Sequence, residues 1–138
     1  MIEIKIPWKA VSWLAPKQNR GRVYDTRAAE KRAARLCIKS QYDAWPLSGY
    51  IIIQFTFLFK PPVSASKKRK AKMLAGEIIP THVDCTNCQK LYEDCLKKIV
   101  IYDDRNVAEI SSKKLYADKE MIIIKIWTLE EHNNANNL

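Results

Sequence analysis

The sequence predicts a single α+β domain in which a small mixed β-sheet packs, in two layers, against two main helices. Ile2, Ile4 and Ile6 alternate with charged residues, β-branched and aromatic residues crowd 50–59, and apolar residues alternate again over 121–127; these mark strands. Two intervening segments, about 25–42 and 86–98, carry apolar residues at helical spacing. At 138 residues the chain can build one hydrophobic core, and 47% apolar with 28% charged residues is ordinary globular composition.

The first strand ends at Pro7, and Trp8 to Arg22, with Pro16 and Gly21, reads as a loop. Asp25 or Thr26 caps a helix reaching about Tyr42. Its expected inner side is Ala29, Ala33, Leu36 and Cys37, with Arg27, Lys31, Arg32 and Arg35 outward. Pro46 and Gly49 turn the chain into a strand over Tyr50–Phe59, which Pro61-Pro62 ends. Ser66 caps, and Gly76 stops, a short basic helix. A second long helix spans about Thr86 to Lys98, and Ile99-Val100-Ile101 reads as a short strand leading to Asp103-Asp104. Val107–Ile110 and Met121–Trp127 close the sheet, while 130–138 has little to bury and reads as a flexible tail.

No apolar run approaches the roughly 20 residues that span a bilayer. The first residues lack the apolar block of a signal peptide, so a soluble intracellular protein with no membrane partner is expected. Cys37, Cys85, Cys88 and Cys95 are then expected as reduced thiols. The net charge of +9 suits a polyanionic partner, because lysine and arginine displace counterions condensed on phosphates. Lys67, Lys68, Arg69, Lys70 and Lys72, with no acid among them, are the best grip on such a backbone; the plain alternative is a solvated loop.

The segment from Asp84 to Asp94 carries the most chemistry. On a helix Asn87, Lys90 and Asp94 share one face, while Cys85, Cys88, Tyr92, Cys95 and Ile99 form another stripe flanked by Leu91 and Leu96. Asp84 stands at the leading end of the polar face. The adjacent carboxylates of Asp103 and Asp104 repel unless a cation or hydrogen bonds stabilise them. Aspartates at helix and strand ends, with a lysine between, suit Mg²⁺, which takes one or two carboxylates plus water and phosphate oxygens. A merely solvated polar face is the competing reading. His82, Cys85, Cys88 and Cys95 could in principle ligate zinc, but Cys88 and Cys95 fall on the buried stripe, where cysteine acts as a small apolar residue. A cysteine nucleophile would have only His82 or His132 as base.

These residues resemble the RusA family of Holliday junction resolvases, its phage and prophage branch in particular. The family pattern is Asp-x-Asp-Asn-x-x-Lys opening a helix, then Asp-Asp at a strand end and a downstream lysine. Here Asp84-x-Thr86-Asn87-x-x-Lys90 is followed by Asp103-Asp104 and then Lys113 and Lys114. The basic segment from Pro61 to Lys70, and Gly49 before the Ile-rich strand, are also similar; the likeness covers about 45–127. The resemblance implies a nuclease domain over 1–129, a homodimer, and Mg²⁺ as cofactor with Mn²⁺ able to substitute. It further implies paired nicks in a four-way DNA junction, in the cytoplasm of a bacterial or phage-infected cell.

By position, the resemblance makes Asp84 and Asp104 metal-binding carboxylates with Asp103 a near neighbour. Lys90 steadies the phosphate or leaving oxygen, Asn87 orients the helix start or a ligand, and Lys113 and Lys114 join the DNA-binding cations. Thr86 departs from the pattern, standing where the family has its second aspartate. A hydroxyl can ligate Mg²⁺ or hold a metal-bound water but supplies no negative charge. The alternative is therefore a non-catalytic or weakened DNA-binding homologue. The active reading requires Asp84 and Asp104 to converge on one ion.

Overall fold

The computed structural model describes residues 1–136 and runs β1 (Ile2–Ile6), β2 (Lys17–Asn19), β3 (Arg22–Tyr24), α1 (Ala28–Gln41), β4 (Ile51–Phe59), α2 (Lys67–Leu74), α3 (Cys85–Leu96), β5 (Val107–Tyr116), β6 (Met121–Thr128) and α4 (Leu129–Asn136). The main sheet has the order β1-β6-β4-β5, antiparallel except for the parallel β4–β5 pair. Its registers align apolar rows across three strands: Ile4 opposes Ile124, which opposes Phe55, and Ile6 opposes Ile122, which opposes Phe57. Such cross-strand pairs are the unit of sheet stability. All six side chains are buried.

Helices α1 and α3 lie on this apolar face. From α3, Cys88, Leu91, Tyr92, Cys95 and Leu96 are buried, and from α1, Ala34 and Ile38. Phe57 stacks on Phe55 at 5.8 Å between ring centres and meets the Tyr92 ring at 6.0 Å. The expected mixed sheet, two-layer packing and buried stripe of the second long helix all stand. Ser66 accepts a hydrogen bond from the Arg69 N–H, and Gly76, at φ +83°, ends the basic helix as its sequence suggests.

Four expectations need correction or refinement. The inner side of α1 is not the alanine–leucine stripe: Ala29, Ala33 and Leu36 are exposed, whereas Arg27, Lys31 and Arg35 are half-buried. The Arg35 guanidinium donates to the carbonyls of Asp94, Cys95 and Lys97, closing the C-terminal end of α3. Within the supposed loop of 8–22, β2 and β3 form a hairpin around Arg20 (φ +51°) and Gly21 (φ +78°), the two positive φ values of a tight hairpin turn. Ile99-Val100-Ile101 is buried core but no strand; all three backbone N–H groups fold back onto the Leu96 carbonyl. Finally, the tail beginning at Glu130 is helical through Asn136 without a buried residue, and Asn137 and Leu138 lie outside the described residues. Among the described residues no helix is long and apolar enough to cross a membrane.

Candidate functional site

Asp84 is the N-cap of α3. One carboxylate oxygen accepts hydrogen bonds from the N–H groups of Thr86 (2.8 Å) and Asn87 (3.3 Å), satisfying donors that a helix start leaves unpaired. Asp84, Thr86, Asn87 and Lys90 are all exposed, so the first turns of α3 present the predicted polar face. The Lys90 ammonium sits 3.5 Å from the centre of the Trp13 ring, whose own backbone N–H donates to the Asn87 carbonyl. The cation–π contact holds Lys90 against the surface, and no carboxylate pairs with it among the described residues.

A second polar group lies at the other end of the helix. Lys97, the C-cap residue, bridges Asp94 (3.2 Å) and Asp104 (3.3 Å). Burial pushes the Lys97 ammonium down, but hydrogen bonds to Asp94 and Asp104 outweigh it and its pKa ends above the ordinary lysine value. Glu93, beside them, is raised by burial and then by the charges of Asp104 and Asp94. Asp103 caps a single 3₁₀ turn, Asp104–Asn106, by accepting from the Arg105 N–H. The adjoining Asp104 carboxyl, then the Arg105 N–H and guanidinium, hold the Asp103 carboxyl well below the usual carboxylate range.

Asp84 and Asp104 therefore do not meet within one chain. Ten residues separate Asp84 from Asp94, about 15 Å of helix axis at the usual rise. Carboxylates that share one Mg²⁺ must each approach it to about 2.1 Å. Lys97 already occupies the space between Asp94 and Asp104. Among the described residues no group of three or more His, Cys, Asp or Glu is placed to hold a metal ion. Within a single subunit Asp84 and Asp104 stand at opposite ends of α3, so the convergence that the resemblance implies is not seen inside one chain.

The cations sort by face. Lys67, Lys68, Arg69, Lys70 and Lys72 line α2, which is anchored through buried Met73, and none forms an ion pair among the described residues. Lys113 and Lys114 point to opposite faces of β5, because Lys113 is registered with Thr56 and Lys114 with buried Phe57. Lys113 is exposed; the Lys114 ammonium donates to the Val83 carbonyl at 2.7 Å, so it supports the approach to α3 and is withdrawn from the surface. Sequence reasoning missed Lys9 and Lys60, which line a recess of about 600 Å³ with Arg69, Ser66 and His82. Nothing in their local sequence marks them; the fold alone brings them to α2.

Cys88 and Cys95 are buried on the core side of α3, and burial pushes the Cys95 thiol up to about 11. The His82 ring meets Phe59 edge-on at 5.2 Å.

A two-layer α+β domain with a helix of unpaired cations and carboxylates grouped around a second helix has the makings of a phosphodiester-cleaving protein. The family model for endodeoxyribonuclease RusA matches residues 10–127, and the chain belongs to that family. The match reaches well N-terminal of position 45, so α1 and the β2–β3 hairpin are part of the family domain. Comparison with curated proteins finds no match. The RusA family is one of endodeoxyribonucleases, and membership implies nuclease activity of the Holliday junction resolvase kind.

Proposed function

We propose that the chain is a homodimeric, Mg²⁺-dependent nuclease that resolves four-way DNA junctions by paired nicks, and that each active site draws on both subunits. The observation that carries this reading is the separation of Asp84 and Asp104 to opposite ends of α3. A twofold axis crossing near the middle of α3 would run the two helices antiparallel. The Asp84 end of one subunit would then face the Asp104 end of the other, twice, once for each opposed strand of a twofold junction. The exposed polar face of Asn87 and Lys90 is free for such an approach.

In that arrangement Asp84 and the partner's Asp104 would hold the ion, with the Thr86 hydroxyl adjacent; Mn²⁺ would fit the same oxygen donors. When bound, the metal neutralises charge on the phosphoryl oxygens and lowers the pKa of an attacking water. Lys90 supplies fixed positive charge to the phosphate. Asn87 orients the start of the helix. Lys67, Lys68, Arg69, Lys70, Lys72 and Lys113 grip the backbone without reading sequence, so junction shape decides recognition.

The test is a synthetic four-way junction against linear duplex of the same sequence. Mg²⁺ should support symmetric nicks on the junction alone, and Asp104→Asn should stop cutting while leaving binding intact. Normal cutting by that variant overturns the site. A second reading, a weakened or non-catalytic junction-binding homologue, draws support from Thr86 and from the commitment of Asp84 to capping. Thr86→Asp separates the two: a large gain in cleavage marks a crippled natural site, and no gain marks threonine as a working member.

A further inference from the structure

Where α1 ends, the chain opens a recess of about 660 Å³ lined by Tyr42, Trp45, Pro46, Lys39, Lys98 and Asp43, among others. Trp45 is 85% exposed, and no aromatic ring among the described residues stacks on its indole. A single exposed ring is not by itself a contact site; what singles out this indole is its place in a recess with Tyr42, Pro46 and two lysines. Its position is nevertheless fixed by the backbone. The Tyr42 hydroxyl donates to the Trp45 carbonyl, and the Leu47 N–H donates to the Val100 carbonyl, tying the loop to the turn after α3. Lys98 lines the recess from a left-handed backbone (φ +66°), a conformation that a non-glycine residue takes only under local constraint.

The recess borders the carboxylate group described above. Lys97 binds Asp94 and Asp104, and the next residue, Lys98, turns to the recess. Tyr102, 53% exposed, immediately precedes Asp103 and lies near enough to Tyr42 to oppose its ionisation, after burial. Two ammonium groups against the single carboxylate of Asp43 give the aromatic platform a net positive rim. Exposed rings with a cationic border are how proteins hold unpaired bases, because every base has a π-face and every nucleotide a phosphate.

We propose that this recess is a stacking site for an unpaired nucleobase, with Trp45 as platform and Lys39 and Lys98 on the flanking phosphates. The inference rests on the nuclease reading: a base unstacked near the crossover would lodge here, beside the Asp104 end of α3. It assigns Trp45 a binding role and no part in bond cleavage.

The test is direct binding, in EDTA so that no cutting intervenes, of an oligothymidylate of about 12 nucleotides and of a duplex of equal length. Trp45→Ala should weaken oligothymidylate binding at least about fivefold, the scale of one base–aromatic stack removed, and duplex binding less than about twofold. Trp45→Phe should restore most of the affinity, which separates stacking from misfolding. Equal weakening on both DNAs, unchanged binding of the oligothymidylate, or conversion of a dimer to a monomer by Trp45→Ala in sedimentation would each overturn the proposal. Wild-type protein that nicks junctions but fails these criteria loses only the stacking site; protein that nicks no junction loses the nuclease reading itself.

Discussion

Asp84 opens α3 as its N-cap, and Asp104 is held at the far end of the same helix by Lys97, 3.3 Å from its carboxylate. The two acids that the family motif pairs are thus divided by one helix, and each has a structural occupation of its own. That division separates what the variants of each residue should do.

Asp84→Asn keeps an oxygen acceptor for the N–H groups of Thr86 and Asn87, so stability should change little. Asp84→Ala removes it and should cost about 1 kcal/mol, lowering Tm by roughly 3–5 °C. Both should abolish junction nicking. Calorimetry beside a cleavage gel checks this; wild-type nicking by a stable Asp84→Asn variant would remove Asp84 from the site.

Lys68→Glu combined with Arg69→Glu should weaken junction binding and flatten its salt dependence, by about 0.9 in logarithmic slope for each phosphate no longer neutralised. Lys114→Met should leave binding alone and instead destabilise the fold by about 1–2 kcal/mol, because the Val83 carbonyl loses its donor. Binding isotherms at several salt concentrations distinguish the two outcomes. Unchanged binding in the α2 double variant would return that helix to a solvated charged surface.

Arg35→Ala should cost about 1.5–3 kcal/mol in denaturant unfolding, since one guanidinium serves three carbonyls at the end of α3. Arg35→Lys should rescue part of that loss, because all three contacts come from one guanidinium nitrogen, whose place a three-donor ammonium can partly take. A surface-like effect near zero would contradict the placement.

Stability should fall in alkali. Burial raises Cys95 from 9.0 to about 11, and burial raises Tyr92 from 10.0 to about 12 against a weaker opposing hydrogen bond from the Val11 N–H. Both are neutral acids whose folded pKa lies above the unfolded one. Their contribution is complete below pH 9 and is lost as pH rises through the window from 9 to 12. Denaturant midpoints measured from about pH 8 to 11 should decline, and Cys95→Ala should flatten the first part of that decline. A flat profile would place these groups in water.

Much of the fold was legible because its signals are local. Alternating Ile2, Ile4 and Ile6 and the Ile-rich run of β6 declare a one-sided sheet, and Ser66 and Gly76 bracket α2 by cap chemistry alone. The face of α1 was not legible. Long basic side chains bury their stems when their tips find carbonyls or carboxylates, as Arg27 does at the Ser12 carbonyl and Lys31 at Asp25. Counting apolar letters instead picks Ala33 and Leu36, which are exposed. At the site, helical spacing correctly grouped Asn87 and Lys90 beside Asp84. The position of Asp104 depends on a turn through Lys98, whose left-handed backbone no sequence pattern announces. That turn returns the chain to the wrong end of α3 for an ion shared within one subunit.

Complementation between two inactive variants tests the composite site most directly. Asp84→Asn and Asp104→Asn subunits, mixed and allowed to exchange, form heterodimers in which one site carries both lesions and the other carries neither. If each site spans the two subunits, junction nicking should return to about a quarter of the wild-type level in an equal mixture, as single nicks and not paired ones. If heterodimers form and no nicking returns, each site lies within one chain, and the shared arrangement of Asp84 and Asp104 is wrong.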